Sequence, residues 1–274
     1  MKAPIGVFDS GYGGLTVLRE LFKALPACDF LYLGDNARTP YGTRSFEVVY
    51  QYTLEAVTYL FRQNCPLVIL ACNTASAKAL KNIQVLHLPH IAPGRRVLGV
   101  IRPSVQKAAE LTKNGHVGVL GTAGTIASDS YPMELMKWSG GRIISTVQEA
   151  CPMWVPIVEN NEIGSQGAEF FIRKHIDSIL LKDRSLDTLI LGCTHYPLLL
   201  DSIRRYVPDH VEILDQGRVV SEKLVEYLGR HPELDSQISK NGTLTFLTTE
   251  HPDIFDSKAT MFMGRAVSAT NIHL

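Results

Sequence analysis

The chain has 274 residues, 45% of them hydrophobic, which is enough for one large or two medium domains with cores of their own. Its 27 lysines and arginines balance its 27 aspartates and glutamates. A net charge of zero gives no electrostatic footprint for a nucleic acid or an anionic membrane, although a local field can still bind a small charged substrate.

Short apolar runs rich in β-branched residues alternate with longer amphipathic stretches. The amphipathic stretches, such as 15–25, 45–63 and 167–181, carry apolar residues at three- and four-residue spacing and predict helices. Alternating strands and helices are typical of an α/β fold with mostly parallel sheets flanked by helices. The predicted strands, in chain order, are residues 5–8, 30–33, 67–71, 97–101, 117–120, 142–147, 188–192, 211–215 and 244–247.

A faint internal repeat indicates two similar α/β lobes. IGVFDSGYGG (5–14) resembles VGVLGTAGT (117–125), and LVILACNTAS (67–76) resembles TLILGCTHYP (188–197). Each lobe would then supply one glycine-rich turn and one cysteine turn to a cleft between the lobes.

The first lobe boundary is predicted at the Pro/Gly/Arg segment 91–96, so that residues 1–96 form the first lobe and 97–207 the second. Periodicity alone does not assign the strands after about residue 207 to either lobe.

Cys72 and Cys193 each follow a predicted buried strand directly. Ligands of open α/β sheets bind beyond the carboxyl ends of the strands. Asn73-Thr74 and Thr194-His195 offer capping side chains for a following helix, whose N-terminus would favour a thiolate. The alternative is a pair of ordinary buried cysteines, but the matched context favours a shared functional role.

The turn Asp9-Ser10-Gly11-Tyr12-Gly13-Gly14 follows the first strand. It has neither the G-K-[ST] of a phosphate-binding loop nor the glycine spacing of a dinucleotide fingerprint. Asp9 is either a general base or a helix N-cap. If the lobes face each other, Asp9 would lie on one side of the cleft and His195 on the other.

Two further places are weaker candidates for ligand contact. Tyr41 and Gly42 lie in a Thr-Pro-Tyr-Gly turn whose N–H groups and hydroxyl could reach a ligand, although a surface loop is the simpler interpretation. Glu149 follows a predicted strand and would also lie near the cleft.

The remaining cysteines, Cys28, Cys65 and Cys151, lack this context and are interpreted as structural. The chain has no C-x-x-C motif, and His87 and His90 have no nearby Asp, Glu or Cys, so we predict no metal site. No apolar run is long enough for a signal peptide or a membrane helix. We therefore expect a cytoplasmic protein with free thiols.

Two opposed thiols without metal or disulfide suit the racemisation of an α-amino acid. One base removes the α-proton, and an acid on the other face returns a proton. The reaction must also run in reverse, so two similar groups suit it. Hydroxyl and amide groups of Ser10, Asn73, Thr74 and Thr194 could bind the charged groups of the substrate, and tight hydrogen bonding of its α-carboxylate would stabilise a carbanion-like state.

Motifs across most of the first 200 residues resemble those of the glutamate racemases, in the cofactor-independent aspartate/glutamate racemase superfamily. The resemblance implies two lobes with the active site between them, and it places 208–274 in the first lobe with 1–96. The last seventy or so residues carry no signature of their own. The matching motifs are FDSGYGG (8–14), NARTPYG (36–42), ACNTASA (71–77), GVIRPS (99–104), GTAGT (121–125), ACPMWVPIVE (150–159) and GCTHYP (192–197).

The resemblance also implies roles for individual residues. Cys72, assisted by Asp9, would take the α-proton of D-glutamate, and Cys193, assisted by His195, would take that of L-glutamate. It implies no pyridoxal phosphate and no metal, D-glutamate supply for bacterial peptidoglycan, and a homodimer as one arrangement. The positions implied to contact substrate are Asp9, Ser10, Tyr41, Gly42, Asn73, Thr74, Glu149, Thr194 and His195.

Three rival functions remain open at this stage. An aspartate or hydantoin racemase could share the cysteine turns, a cysteine hydrolase would need only one thiol, and a two-lobed binding module would bind an amino acid without exchanging its α-proton.

Overall fold

Two parallel β-sheets with helices on their faces make up the protein, in a computed structural model that describes residues 2–274. Every strand pairing between named strands is parallel. The strands are β1 (Ile5–Asp9), β2 (Phe30–Gly34), β3 (Leu67–Leu70), β4 (Arg96–Gly99), β5 (His116–Gly121), β6 (Ser145–Ala150), β7 (Thr188–Gly192), β8 (Glu212–Leu214), β9 (Leu244–Thr248) and β10 (Ala269–Asn271).

Helices connect the strands. Short 3-10 turns cover Asn36–Arg38 and Tyr196–Leu199, and a π-helical turn covers Ile83–His87. The α-helices are α1 (Gly14–Ala24), α2 (Phe46–Arg62), α3 (Asn73–Lys78), α4 (Leu80–Asn82), α5 (Leu88–Ile91), α6 (Ile101–Leu111), α7 (Ala123–Ile126), α8 (Ser130–Trp138), α9 (Trp154–Glu159), α10 (Gln166–Lys182), α11 (Leu200–Arg204), α12 (Gln216–Arg230), α13 (Pro232–Asp235) and α14 (Pro252–Met263).

Local sequence explains the long elements. The central strands β1, β3 and β7 are buried along their whole length, as their apolar sequences predict. Helix α2 begins at Ser45, whose hydroxyl accepts a hydrogen bond from the N–H of Val48. Its residues Val49, Ala56 and Leu60 are buried at helical spacing, and burial of a valine or leucine side chain stabilises the fold by about 1.5–3 kcal/mol.

The strand order confirms two similar lobes. Within the described residues, one sheet has the order β10-β9-β2-β1-β3-β4 and the other the order β6-β5-β7-β8. The segment β2-β1-β3-β4 therefore has the same arrangement as β6-β5-β7-β8. The repeated sequences coincide with equivalent strands, because β1 corresponds to β5 and β3 to β7.

The lobe boundaries differ from the predicted ones. Strand β4 pairs with β3 in the first sheet, although 97–101 was expected in the second lobe. Strand β8 pairs with β7 in the second sheet, although residues from 208 onward were expected in the first. The chain thus crosses between the sheets after Gly99 and again after Leu214. The pairing of strands decides which residues belong to each lobe. The Pro/Gly/Arg segment 91–96 marks only the end of helix α5.

Two strands were predicted inaccurately. The run 142–147 predicts a strand, but β6 begins at Ser145 because Gly140 and Gly141 make a turn with positive φ and Ile144 remains largely exposed. The short polar strand β10 has no apolar pattern and was not predicted. Among residues 2–274, no helix combines the length and the apolar composition needed to cross a lipid bilayer.

The largest buried apolar cluster runs through both lobes. It includes Ile5 and Phe262 of the first lobe together with Trp154 and Cys193 of the second. Smaller clusters cover the other face of each sheet. Because the lobes share a core, the carboxyl ends of β1, β3 and β7 are held at one common interface.

Candidate active site

Cys72 is placed where β3 gives way to α3, and only 5% of it is exposed. Its sulfur is itself the N-cap of α3 and accepts a hydrogen bond from the N–H of Ala75 at 3.4 Å. The thiol also donates to the hydroxyl of Ser10 at 3.4 Å. Burial and then the nearby Asp9 carboxylate raise the pKa of Cys72 to about 12, against the effect of these hydrogen bonds. Cys72 therefore rests as a neutral thiol.

Cys193 lies at the equivalent end of β7 and is also 5% exposed. A 3-10 turn follows it, and neither Thr194 nor His195 caps a regular helix, which differs from the expectation. The imidazole of His195 lies beside it, with Nδ1 3.9 Å from the sulfur. The second thiol is thus supported by an imidazole and the first by a helix N-terminus.

His195 is held between Cys193 and a carboxylate. Its Nε2 lies 2.9 Å from Oε1 of Glu159, the last residue of α9. Burial disfavours the charged imidazole, but the hydrogen bonds to Cys193 and Glu159 prevail and raise the pKa of His195 to about 10. At neutral pH the imidazolium accordingly donates to both partners. Glu159 was missed as a site residue, although it closes the motif 150–159.

The free energy of unfolding is expected to include a contribution from His195 that falls as the pH rises. The folded protein binds this proton with a pKa of about 10, whereas an unperturbed histidine has a pKa of about 6.5. The contribution is therefore complete below pH about 6.5 and is lost as the pH rises through about 10. Urea unfolding of the wild type and of His195→Gln across this range measures it. The wild type's advantage in the free energy of unfolding should shrink as the pH rises.

His90→Gln, an exposed histidine change, is the matched control and should leave the pH dependence unaltered. A wild-type advantage over His195→Gln that stays constant across the range would contradict the raised pKa.

Asp9 ends β1 and is 1% exposed. Its Oδ2 accepts a hydrogen bond from the N–H of Gly11 at 2.9 Å, while its Oδ1 has no partner among the described residues. Burial raises the pKa of Asp9, and the charge of His195 opposes the shift. The carboxylate influences the pKa of Cys72 as well. Asp9 is thus close to ionisable groups of both lobes.

Three hydroxyl groups meet between the lobes. The Thr74 hydroxyl, at the start of α3, lies 3.0 Å from that of Thr122 and 3.3 Å from that of Thr125. The Thr122 and Thr125 hydroxyls are themselves 3.1 Å apart. Three convergent hydroxyls offer the donors that a carboxylate binds. Of the three, only Thr74 was predicted as a contact residue. Thr122 and Thr125 lie in the motif GTAGT (121–125), to which no contact role was given.

Two predicted contact residues have side chains committed elsewhere. The amide of Asn73 bonds Gln216 at 2.6 Å and the hydroxyl of Tyr131 at 2.7 Å, in a buried network between the lobes. The hydroxyl of Tyr41 donates to Asp35, and its ring is 1% exposed. For Tyr41 this corrects the expectation of a hydroxyl that reaches a ligand.

The backbone of two other predicted residues lies at the contact between the lobes. The carbonyl of Gly42 accepts a hydrogen bond from the N–H of Gly124 at 2.8 Å. The carbonyl of Thr194 accepts one from the hydroxyl of Thr16 at 2.9 Å. These bonds close the interface on either side of the thiols.

Glu149 does not lie where it was expected. Its carboxylate accepts hydrogen bonds from His175 at 2.7 Å, Ser178 at 2.9 Å and Lys182 at 2.7 Å, all on α10. Although burial works in the other direction, these donors hold the pKa of Glu149 below its usual range. The carboxylate stabilises the packing of α10 on β6, and Glu159 takes the position near the second thiol.

The three other cysteines are buried and unpaired, as are the two thiols of the site. Within residues 2–274, no group of three or more His, Cys, Asp or Glu side chains is arranged to hold a metal ion.

Two duplicated lobes, each with a buried cysteine at an equivalent strand end beside an ionisable side chain, define a class of two-lobed α/β proteins with paired cysteines. A family model described as Asp/Glu/Hydantoin racemase matches residues 5–223. The chain belongs to this family.

Individual relatives extend the match over almost the whole chain. A glutamate racemase of Geobacter metallireducens is 39% identical, over 95% of this chain and 92% of that protein. The crystal structure of a glutamate racemase isoform from Bacillus anthracis has a TM-score of 0.89 at 33% identity and covers 99% of this chain and 98% of its own. The glutamate racemase of Francisella tularensis in complex with D-glutamate has a TM-score of 0.87 at 32% identity, with coverages of 99% and 98%.

Proposed function

We propose that this protein interconverts L- and D-glutamate by moving the α-proton between two thiols, without pyridoxal phosphate or a metal. The observation that carries the proposal is the placement of Cys72 and Cys193 at equivalent strand ends of the two lobes, beside Asp9 and His195 respectively. The relatives named above, including one in complex with D-glutamate, support glutamate as the substrate.

For L-glutamate, the Cys193 sulfur acts as the thiolate, with the imidazolium of His195 as its counter-ion. It forms a bond to the α-proton as the C–H bond breaks, and the electron pair stays on the α-carbon. The neutral thiol of Cys72 then gives its proton to the opposite face of that carbon. D-Glutamate is released, and the two thiols have exchanged protonation states.

For D-glutamate, the same steps run backwards, so Cys193 must first take a proton from the imidazolium of His195 and Cys72 must first lose its proton. Asp9 is the group that can receive it, because burial raises the pKa of this carboxylate. The low exposure of both thiols keeps water away from the carbanion-like state, whose charge the surrounding donors stabilise.

Hydrogen-bond donors between the lobes would hold the substrate. The hydroxyl cluster of Thr74, Thr122 and Thr125 suits a carboxylate. Ser10 and Thr194 stand beside the thiols, and the backbone at Gly42 and Asn73 lies at the same interface. We further propose that the D-glutamate supplies bacterial peptidoglycan, and that the enzyme works in the reducing cytoplasm, which its unpaired thiols suit. We also propose that the protein forms a homodimer.

Exchange of the α-proton with solvent is the test of this function. The protein is dialysed against a chelator without pyridoxal phosphate and then incubated in deuterated buffer with D- or L-glutamate separately. We expect each enantiomer to give the opposite one carrying deuterium at the α-carbon, because the proton that is returned comes from the second thiol.

Other outcomes would point to the rival functions. Binding without exchange would mean an amino-acid-binding module, and exchange with aspartate or a hydantoin but not with glutamate would mean another racemase. Activity that returns only with pyridoxal phosphate or a metal would contradict the proposed mechanism. Hydrolysis of a substrate that survives loss of Cys193 would indicate a cysteine hydrolase.

A further inference from the structure

Helix α14 belongs to the first lobe, yet it reaches the imidazole of the second. Along the chain, the helix connects β9 to β10, and both strands belong to the first sheet. Its residue Phe262 is fully buried, and its ring centroid lies 5.4 Å from that of His195, with the two ring planes at 87°. This segment carried no recognisable sequence motif, so nothing in the sequence marked it as part of the site.

Phe262 is fixed in place from its own side. Its ring stacks on Tyr12 with centroids 6.0 Å apart, and its carbonyl accepts a hydrogen bond from Arg19 of α1 at 3.4 Å. Tyr12 also stacks on Phe255, which lies two turns earlier on the same face of α14, with ring centroids 5.6 Å apart. The ring that meets His195 is therefore held by its direct contact with Tyr12 and by the anchoring of its backbone to α1.

The imidazole needs such a contact because its hydrogen bonds do not fix its plane. The torsion between the β-carbon and a histidine ring is broad and softly constrained. Glu159 holds Nε2 at 2.9 Å, but the 3.9 Å from Nδ1 to the Cys193 sulfur is a long contact. A perpendicular ring against the imidazole blocks the rotation that would lengthen it further.

We propose that Phe262 is a positioning residue for His195, whose ring keeps Nδ1 of the imidazole directed at the sulfur of Cys193. The inference rests on the proposed function only in giving His195 a role in proton transfer. Phe262 itself touches no reacting atom. The titratable groups that face the imidazole are Cys193 beside it, Glu159 of α9 and Asp9 of β1.

Substitution of Phe262 by methionine tests whether the aromatic ring itself matters, and not only the apolar volume that it fills. Phe262→Met keeps roughly the apolar volume of the site and removes the ring. Phe255→Met is the matched control, since Phe255 is equally buried in the same helix and stacks on the same Tyr12 but makes no aromatic contact with His195. Phe262→Tyr keeps the ring, and Phe262→Leu is a second variant without it. Thermal unfolding of each variant checks that it is folded.

Racemisation kinetics are the first measurement. A displacement of the imidazole by about 1 Å is expected to lower kcat by roughly ten- to a hundredfold in Phe262→Met and Phe262→Leu. KM should stay within about twofold, because the substrate-binding donors are untouched. Phe255→Met and Phe262→Tyr should keep kcat near that of the wild type.

The titration of His195 in the substrate-free protein is the second measurement. Protein with isotope-labelled histidines is titrated with pH and followed by NMR. The His195 signal is assigned by its loss in His195→Gln. Loosened hydrogen bonds should move this titration towards the ordinary histidine value in both ring-free variants at position 262, while Phe255→Met and Phe262→Tyr should keep the wild-type value.

The inference is overturned if folded Phe262→Met and Phe262→Leu keep the wild-type titration and kcat, or if Phe255→Met changes them equally. Failure of the proposed function looks different. In that case the wild type would not exchange the α-proton of glutamate, while the NMR titration would still report whether Phe262 positions the ring.

Discussion

Alanine in place of Cys72 or Cys193 is expected to lower kcat/KM for racemisation by about 10²–10⁴-fold, the usual contribution of a positioned acid or base. Each thiol is the base in one direction and the acid in the other, so either loss affects both directions. Enantiomers have equal free energies in water, and kcat/KM must therefore fall by the same factor for D- and L-glutamate. Circular dichroism of the substrate measures both rates.

Cys65→Ala is the matched control for the thiol variants. Cys65 is as buried as the two thiols and lies just before β3, the strand that carries Cys72, but it is remote from the strand's carboxyl end. We expect it to stay active. Turnover of either thiol variant within about tenfold of the wild type in both directions would refute a mechanism that needs two sulfur atoms.

Gly13→Ala is expected to lower kcat/KM by about a hundredfold while leaving the fold intact. A β-carbon on Gly13 would lie 2.5 Å from Nδ1 of His195 and closer still to the hydroxyl oxygen of Thr194. The φ angle of Gly13 is −58°, which alanine adopts without strain. The whole effect therefore arises from the contact between the lobes, which cannot close to the observed distance.

Gly229→Ala in α12 controls for the added methyl group, since its β-carbon would meet open space. It should preserve activity and slightly stabilise the helix. Thermal unfolding of both variants separates a loss of closure from a loss of folding. A fully active Gly13→Ala would mean that catalysis does not need the lobes this close together.

The sequence was most informative where chemistry and secondary structure coincide. A cysteine directly after an apolar strand must lie at the carboxyl end of a sheet, and two such cysteines in repeated segments predicted the paired arrangement of Cys72 and Cys193. The same repeat predicted two similar lobes, and the structure shows that their sheets share one strand order, β2-β1-β3-β4 and β6-β5-β7-β8.

Contacts between distant elements were not predictable in this way. Glu149 directly precedes the motif 150–159 and Glu159 closes it, so the sequence does not tell which of them reaches the site. The Glu149 side chain on β6 bonds α10, whereas Glu159 at the end of α9 bonds His195. Phe262 was not predicted as a site residue for the same reason. Its approach to His195 depends on how α14 packs, and no local spacing records that packing.

The two chain crossings, after Gly99 and after Leu214, limit how the lobes can separate. A single connection would allow the lobes to swivel, whereas two connections define a line, and rotation about that line is the easy motion. A rotation about that line would move the strand ends that bear the two sulfur atoms apart. It would do so without a twist of one lobe against the other, so closure would restore the alignment of the reacting groups.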